Sequence, residues 1–108
     1  TMQHPHLPEI LDSLRQYLTT LYGSQLERLI LFGSQARKEA TSDSDIDVMV
    51  VLSGEVDAWA EIERTGEFVA DLCLEHAVVI CNIFVSGDRY RAQESALIRN
   101  VVMEGIPL

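Results

Sequence analysis

The chain has 108 residues, 47% hydrophobic and 23% charged, a composition too apolar for a disordered segment and sized for one hydrophobic core. Its 17 acidic and 8 basic side chains give a formal net charge of −9, which disfavours direct nucleic-acid binding and suits a basic protein partner. No apolar run reaches the roughly 20 residues needed to span a bilayer, and no signal-peptide hydrophobic region opens the chain, so a cytoplasmic protein without membrane contact is expected.

Thr1 precedes Met2, and His4 and His6 sit in a short polar lead beside Pro5 and Pro8; they are given no role. Leu7, Ile10, Leu11, Leu14, Leu18 and Leu21 then recur at helical spacing, which predicts an amphipathic helix ending near Gly23. Residues 26–32 form an apolar run stopped by Gly33 and Ser34, the pattern of a strand feeding into a turn, and residues 34–39 can make a short helical turn. Residues 45–52 read D-I-D-V-M-V-V-L, a β-branched stretch with carboxylates only at its entrance, which predicts a strand buried along most of its length. Trp59, Ile62, Val69, Leu72 and Cys73 place a second long helix over residues 57–75, with Gly66 as a point of interruption or kink. Residues 77–85 predict a third strand, and Tyr90, Leu97, Ile98, Val101 and Val102 a closing helix or two short ones. The expected fold is α/β (α+β): a small mixed sheet of three to four strands with flanking helices, in one domain over residues 1–108. Cys73 and Cys81 lie in apolar surroundings and are expected as reduced core residues. Trp59 and Tyr90 are read as core rather than as platforms for a base, and His76 as structural.

The chemistry concentrates in residues 31–51. Gly33 lets the backbone turn sharply at the end of a strand, and the following amides with the Ser34 hydroxyl form a donor cluster suited to phosphate oxygens, with Arg37 one turn later to reinforce it. Asp45 and Asp47 stand two apart on a predicted strand, so both carboxylates point to one face, roughly 6–7 Å apart along the chain. Like charges held so close call for a cation, and a pair at the mouth of a sheet can converge on Mg²⁺ that also holds a triphosphate. Asp43 is read as a turn or capping residue, and Ser44 is counted with the nucleotide-binding positions.

Gly33-Ser34, ten residues, then Asp45-Ile46-Asp47 resembles the signature of the DNA polymerase beta-like nucleotidyltransferase superfamily. F-G-S-Q-A-R with S-D-S-D-I-D-V, together with the I-R-N-V-V-M-E-G-I-P-L ending, is similar in particular to the minimal nucleotidyltransferases, among them the MntA-type antitoxins of HEPN–MNT toxin–antitoxin pairs. That resemblance implies that Gly33 and Ser34 hold the triphosphate of ATP and that Asp45 and Asp47, as catalytic residues, bind Mg²⁺ or Mn²⁺. It also implies AMP transfer to a tyrosine of a cognate HEPN-domain RNase toxin, with which the chain would form a hetero-oligomer. One departure stands out: the superfamily usually carries a third carboxylate on a later strand, whereas residues 78–86 read V-V-I-C-N-I-F-V-S. Asp71 and Glu75 are weak substitutes on a helix, and Asn82 could orient water but not act as a base. The alternative reading is a degenerate nucleotidyltransferase that neutralises its partner by binding alone. An antibiotic nucleotidyltransferase ranks lower, since 108 residues leave no room for a second substrate-binding domain.

Overall fold

The computed structural model describes residues 6–37 and 45–108. Helix α1 (Leu7–Tyr22) buries Leu7, Ile10, Leu14 and Leu18 of the predicted stripe together with Tyr22, while Leu11 is half-buried and Leu21 exposed, and Pro8 sits in its first turn where a missing N–H does no harm. A 3-10 turn, Gly23–Gln25, leads into β1 (Leu26–Phe32), and Gly33 opens the short helix α2 (Gly33–Arg37). Strand β2 (Ile46–Leu52) returns antiparallel to β1, with Leu31 opposite Val48 and Phe32 opposite Asp47. Helix α3 (Ala58–His76) crosses over to β3 (Ile80–Ser86), as a parallel β2–β3 pair requires. Helices α4 (Gly87–Ala92) and α5 (Ala96–Glu104) follow, and the two-residue strand β4 (Ile106–Pro107) pairs with β1, giving the sheet order β3-β2-β1-β4.

The two-residue period of the strands sorts their side chains between two layers. Leu29, Leu31, Ile46, Val48, Val50, Leu52, Ile80 and Phe84 join the stripe of α1 and Leu72 of α3 in one core. Ile30, Met49, Val51 and Val85 meet Ile98 and Val101 of α5 in a second core on the other face. β2 supplies both, which is why its run is almost continuously apolar. No helix among the described residues is long and apolar enough to cross a membrane.

Several expectations need correction. α3 continues through Gly66 without interruption; a mid-helix glycine costs only about 1 kcal/mol, less than the packing of a 19-residue helix supplies. The third strand starts at Ile80 rather than 77, because Ala77 caps α3 in the left-handed region and the Val78 N–H donates to the Cys73 carbonyl at 3.0 Å. Trp59 is not core but 70% exposed, since it lies on a flank of α3 turned away from the layer that buries Thr65 and Leu72. Both cysteines are free, as expected, but Cys73 is only half-buried and Cys81 is exposed, because β3 is an edge strand.

Candidate active site

β1 and β2 run antiparallel, so the end of the first lies beside the start of the second, and this topology builds the site. After Phe32 the chain turns at Gly33, whose φ of +73° is a conformation other residues adopt only with strain. A side chain there would also collide with Asp47: a Cβ would stand 2.6 Å from its Oδ2. The Asp47 carboxylate therefore rests directly on the Gly33 turn. The half-buried Ser34 follows at once in α2, whose first amides have no acceptor within so short a helix.

Asp47 is half-buried on the face of β2 that also carries Met49 and Val51, while Asp45 is exposed immediately before the strand. Burial pushes the Asp47 carboxyl above its ordinary range, the negative charge of Asp45 pushes it further, and the Arg37 guanidinium pulls it back. Arg37, at the end of α2, also lies 3.6 Å from the Glu104 carboxylate of α5. Glu104 was invisible to sequence reasoning, because only the packing of α2 on α5 brings it near residues 33–47.

The structure thus brings Gly33, Ser34, Arg37, Asp45 and Asp47 to one corner of the sheet. Ser44 and Asp43 lie outside the described residues. Asp71 and Glu75 line a groove against α1 with Tyr17 and Phe68, on the face of the sheet opposite Asp47, so neither substitutes for a third carboxylate. Asn82 pairs with Val48 and so faces the α3 side as well. The place beside Asp47 on the neighbouring strand belongs to Cys81. Although Cys81 is exposed as a residue, partial desolvation raises its thiol, and the charges of Asp47 and Asp45 raise it further, so its neutral form is favoured there.

The donor set fits a hard divalent cation. Two carboxylates of one sign, one of them half-buried, carry charge that the nearby Arg37 only partly offsets, and Mg²⁺ is commonly held by one or two carboxylates plus phosphate oxygens. Among the described residues no group of three His, Cys, Asp or Glu side chains stands together as a metal cage.

Comparison with known proteins gives the family. The nucleotidyltransferase domain profile matches residues 11–106, and the chain belongs to that family. It is 36% identical over 93 residues to MJ0604 of Methanocaldococcus jannaschii, provisionally named a protein adenylyltransferase, covering 82% of this chain and 83% of the relative. MJ0141 of the same organism, with the same provisional name, is 28% identical over 75 residues, 69% of this chain and 75% of that one. A crystal structure of a provisionally assigned nucleotidyltransferase from Sulfolobus solfataricus superposes with a TM-score of 0.66 at 16% identity, over 92% of this chain and 76% of that one. A mutant of the toxin–antitoxin pair MntA–HpeT gives a TM-score of 0.59 at 19% identity, over 88% of this chain and 69% of that one. The two structural likenesses show the shared fold, a mixed sheet with flanking helices as expected from sequence.

Proposed function

We propose that this nucleotidyltransferase transfers AMP from ATP to a hydroxyl of a partner protein, a tyrosine of a cognate HEPN-domain toxin, and thereby acts as an antitoxin. The observation that carries the reading is the Asp47 carboxylate seated on the Gly33 turn with Asp45 beside it, a cation-binding pair placed against a phosphate-binding turn. Asp45 and Asp47 hold Mg²⁺ or Mn²⁺. The α2 amides and the Ser34 hydroxyl orient the triphosphate, Ser44 adds a contact to the nucleotide, and Arg37 offsets charge on the departing pyrophosphate. The bound ion supplies charge neutralisation at the phosphates in the transition state. The acceptor oxygen attacks the α-phosphorus in line, the α–β bridging bond breaks, pyrophosphate leaves, and the hydroxyl proton passes to solvent.

Two features favour a protein acceptor with a phenol. A net charge of −9 suits a basic protein surface rather than a polynucleotide, and the name of MJ0604 agrees with it. A tyrosine hydroxyl, with a pKa near 10, also needs far less help from a base than an alkyl hydroxyl, which matches a site with Cys81 where a third carboxylate would stand. That same substitution favours the second reading, a degenerate enzyme that neutralises its partner by binding alone.

Transfer of label from α-³²P-ATP with Mg²⁺ onto the product of the neighbouring reading frame separates the two. Label with the native chain and none with the Asp45→Asn, Asp47→Asn double variant is the expected result. A complex that forms in both cases without label would replace catalysis by binding.

A further inference from the structure

The long edge of the sheet is open. β3 pairs only with β2, so among the described residues its outer amides and carbonyls have no strand partner. α3 lies along this edge, and between them runs a groove of about 320 Å³, lined by Ile62, Gly66, Val69 and Ala70 of the helix and by Cys81 and Asn82 of the strand. The lining is apolar apart from Thr65, whose hydroxyl donates to the Glu61 carbonyl, and Asn82, whose side-chain carbonyl is buried and accepts no hydrogen bond. Buried acceptors are normally satisfied, so this one takes a donor from water or from a segment seated in the groove.

The flank of α3 above the groove continues the apolar surface. Trp59, Ile62, Gly66 and Ala70 follow one another at intervals of three and four residues, with Trp59 70% and Ile62 44% exposed. Glu63 and Glu67, both exposed, border that stripe on its solvent side. An apolar channel with an unsatisfied acceptor in its wall and carboxylates along its rim describes its occupant: apolar side chains inward, N–H donors, and positive charge outward. A second copy of the chain fits badly, because it would bring another −9 and the same glutamates to the rim.

We propose that this groove seats a basic amphipathic segment of the partner protein that carries the acceptor hydroxyl. Cys81 takes part in lining the groove, which lies on the α3 side of the sheet, while its strand position adjoins that of Asp47 on the other face, so a segment seated here passes the open edge of β3 on its way to the candidate catalytic corner. The purpose of the groove rests on the transfer reading above; its occupancy does not.

Gly66→Leu tests it. A Cβ at Gly66 meets nothing within 4 Å, and leucine favours the helix, so the variant fills the groove while its melting temperature stays equal or rises. Binding is measured with the purified product of the neighbouring reading frame. A blue shift of Trp59 fluorescence accompanies complex formation by the native chain, Trp59 being its only tryptophan. Gly66→Leu and, separately, Ile62→Glu weaken that affinity at least tenfold, while Mg²⁺-dependent ATP binding is unchanged. Native affinity in Gly66→Leu overturns the proposal, as does failure of the native chain to bind this partner. So does a native homodimer that Gly66→Leu disperses in sedimentation, which would make a second copy the occupant. Undiminished labelling by Gly66→Leu removes the groove and leaves the transfer reading standing. Groove-dependent binding without any labelling does the reverse.

Discussion

Replacing Gly33 with alanine separates the two demands that the turn makes on its residue, and Gly54 provides the control. Both glycines have positive φ, +73° and +80°, so alanine at either adopts the left-handed region at about 1–2 kcal/mol. For a chain of 108 residues that lowers the melting temperature by about 5–10 °C in each case. They differ in what the new methyl group meets. At Gly54 nothing lies within 4 Å, whereas at Gly33 the Asp47 Oδ2 is 2.6 Å away. Restoring an ordinary contact of about 3.5 Å displaces the carboxylate by about 1 Å. A displacement of that size in a reacting constellation costs about 100-fold in rate. Thermal melts therefore show similar losses for Gly33→Ala and Gly54→Ala, and Mg²⁺-dependent label transfer falls about 100-fold in the first and within about threefold in the second. Equal transfer rates in the two variants would refute the argument that Gly33 is glycine for the sake of Asp47.

Two further outcomes follow from the electrostatics. The raised Asp47 pKa means that the folded state holds its proton more tightly than the unfolded chain, so this contribution to stability is full at low pH and is lost as pH rises through the folded value. Metal-free protein therefore loses stability across a window just above the ordinary carboxylate range. Asp47→Asn removes that slope and relieves first the desolvation of a half-buried charge and then the repulsion from Asp45, together worth about 1 kcal/mol net of the lost attraction to Arg37 and after solvent screening, raising the neutral-pH melting temperature by about 5 °C in EDTA. Adding Mg²⁺ stabilises the native chain and leaves the variant where it was; parallel melting curves for the two would count against the cation site. At the far end of the sheet, the Tyr22 hydroxyl donates to Glu61 Oε1 at 2.7 Å, and burial, with this carboxylate, drives the phenol well above its usual pKa. Arg64 holds the same Glu61 oxygen at 2.9 Å, so Tyr22→Phe leaves the carboxylate partnered and lowers stability by only about 1 kcal/mol, with no effect on transfer. A loss of several kcal/mol in a urea titration would show that Arg64 does not compensate.

The elements carried by strong periodicity were readable from the residues alone. α1 and the apolar runs of β1 and β2 reappear with their boundaries shifted by one residue at most, because their patterns follow the burial of most positions, Leu21 being the exposed exception that Tyr22 replaces. The pattern misled where an apolar residue was not a buried one. Trp59 and Cys81 look like core in sequence, yet they border the open edge of β3, and no local signal says which strand will end up at an edge. The start of β3 was misplaced for a local reason: a left-handed cap at Ala77, a conformation that alanine does not advertise. At the candidate site, Gly33, Ser34 and the two aspartates could be picked out by spacing. The contact between Gly33 and Asp47, the ion pair of Arg37 with Glu104, and the neighbourhood of Cys81 required the antiparallel register and the packing of α5.

Cys81 bears directly on which acceptor the corner can serve. Next to Asp47 its thiol is pushed up by partial desolvation and by two carboxylates, so at neutral pH it is a poor ligand for a hard cation and no base. Under the proposed transfer, a site so built leaves deprotonation of the nucleophile to the acceptor itself. A phenol, with a pKa near 10, is ionised at neutral pH to a fraction several orders of magnitude larger than an alkyl alcohol, whose pKa lies far higher. Placing a carboxylate there with Cys81→Asp should therefore raise transfer to a serine in place of the proposed acceptor tyrosine much more than transfer to the tyrosine. If both rise by the same factor, the missing acid limits binding of the metal rather than activation of the hydroxyl.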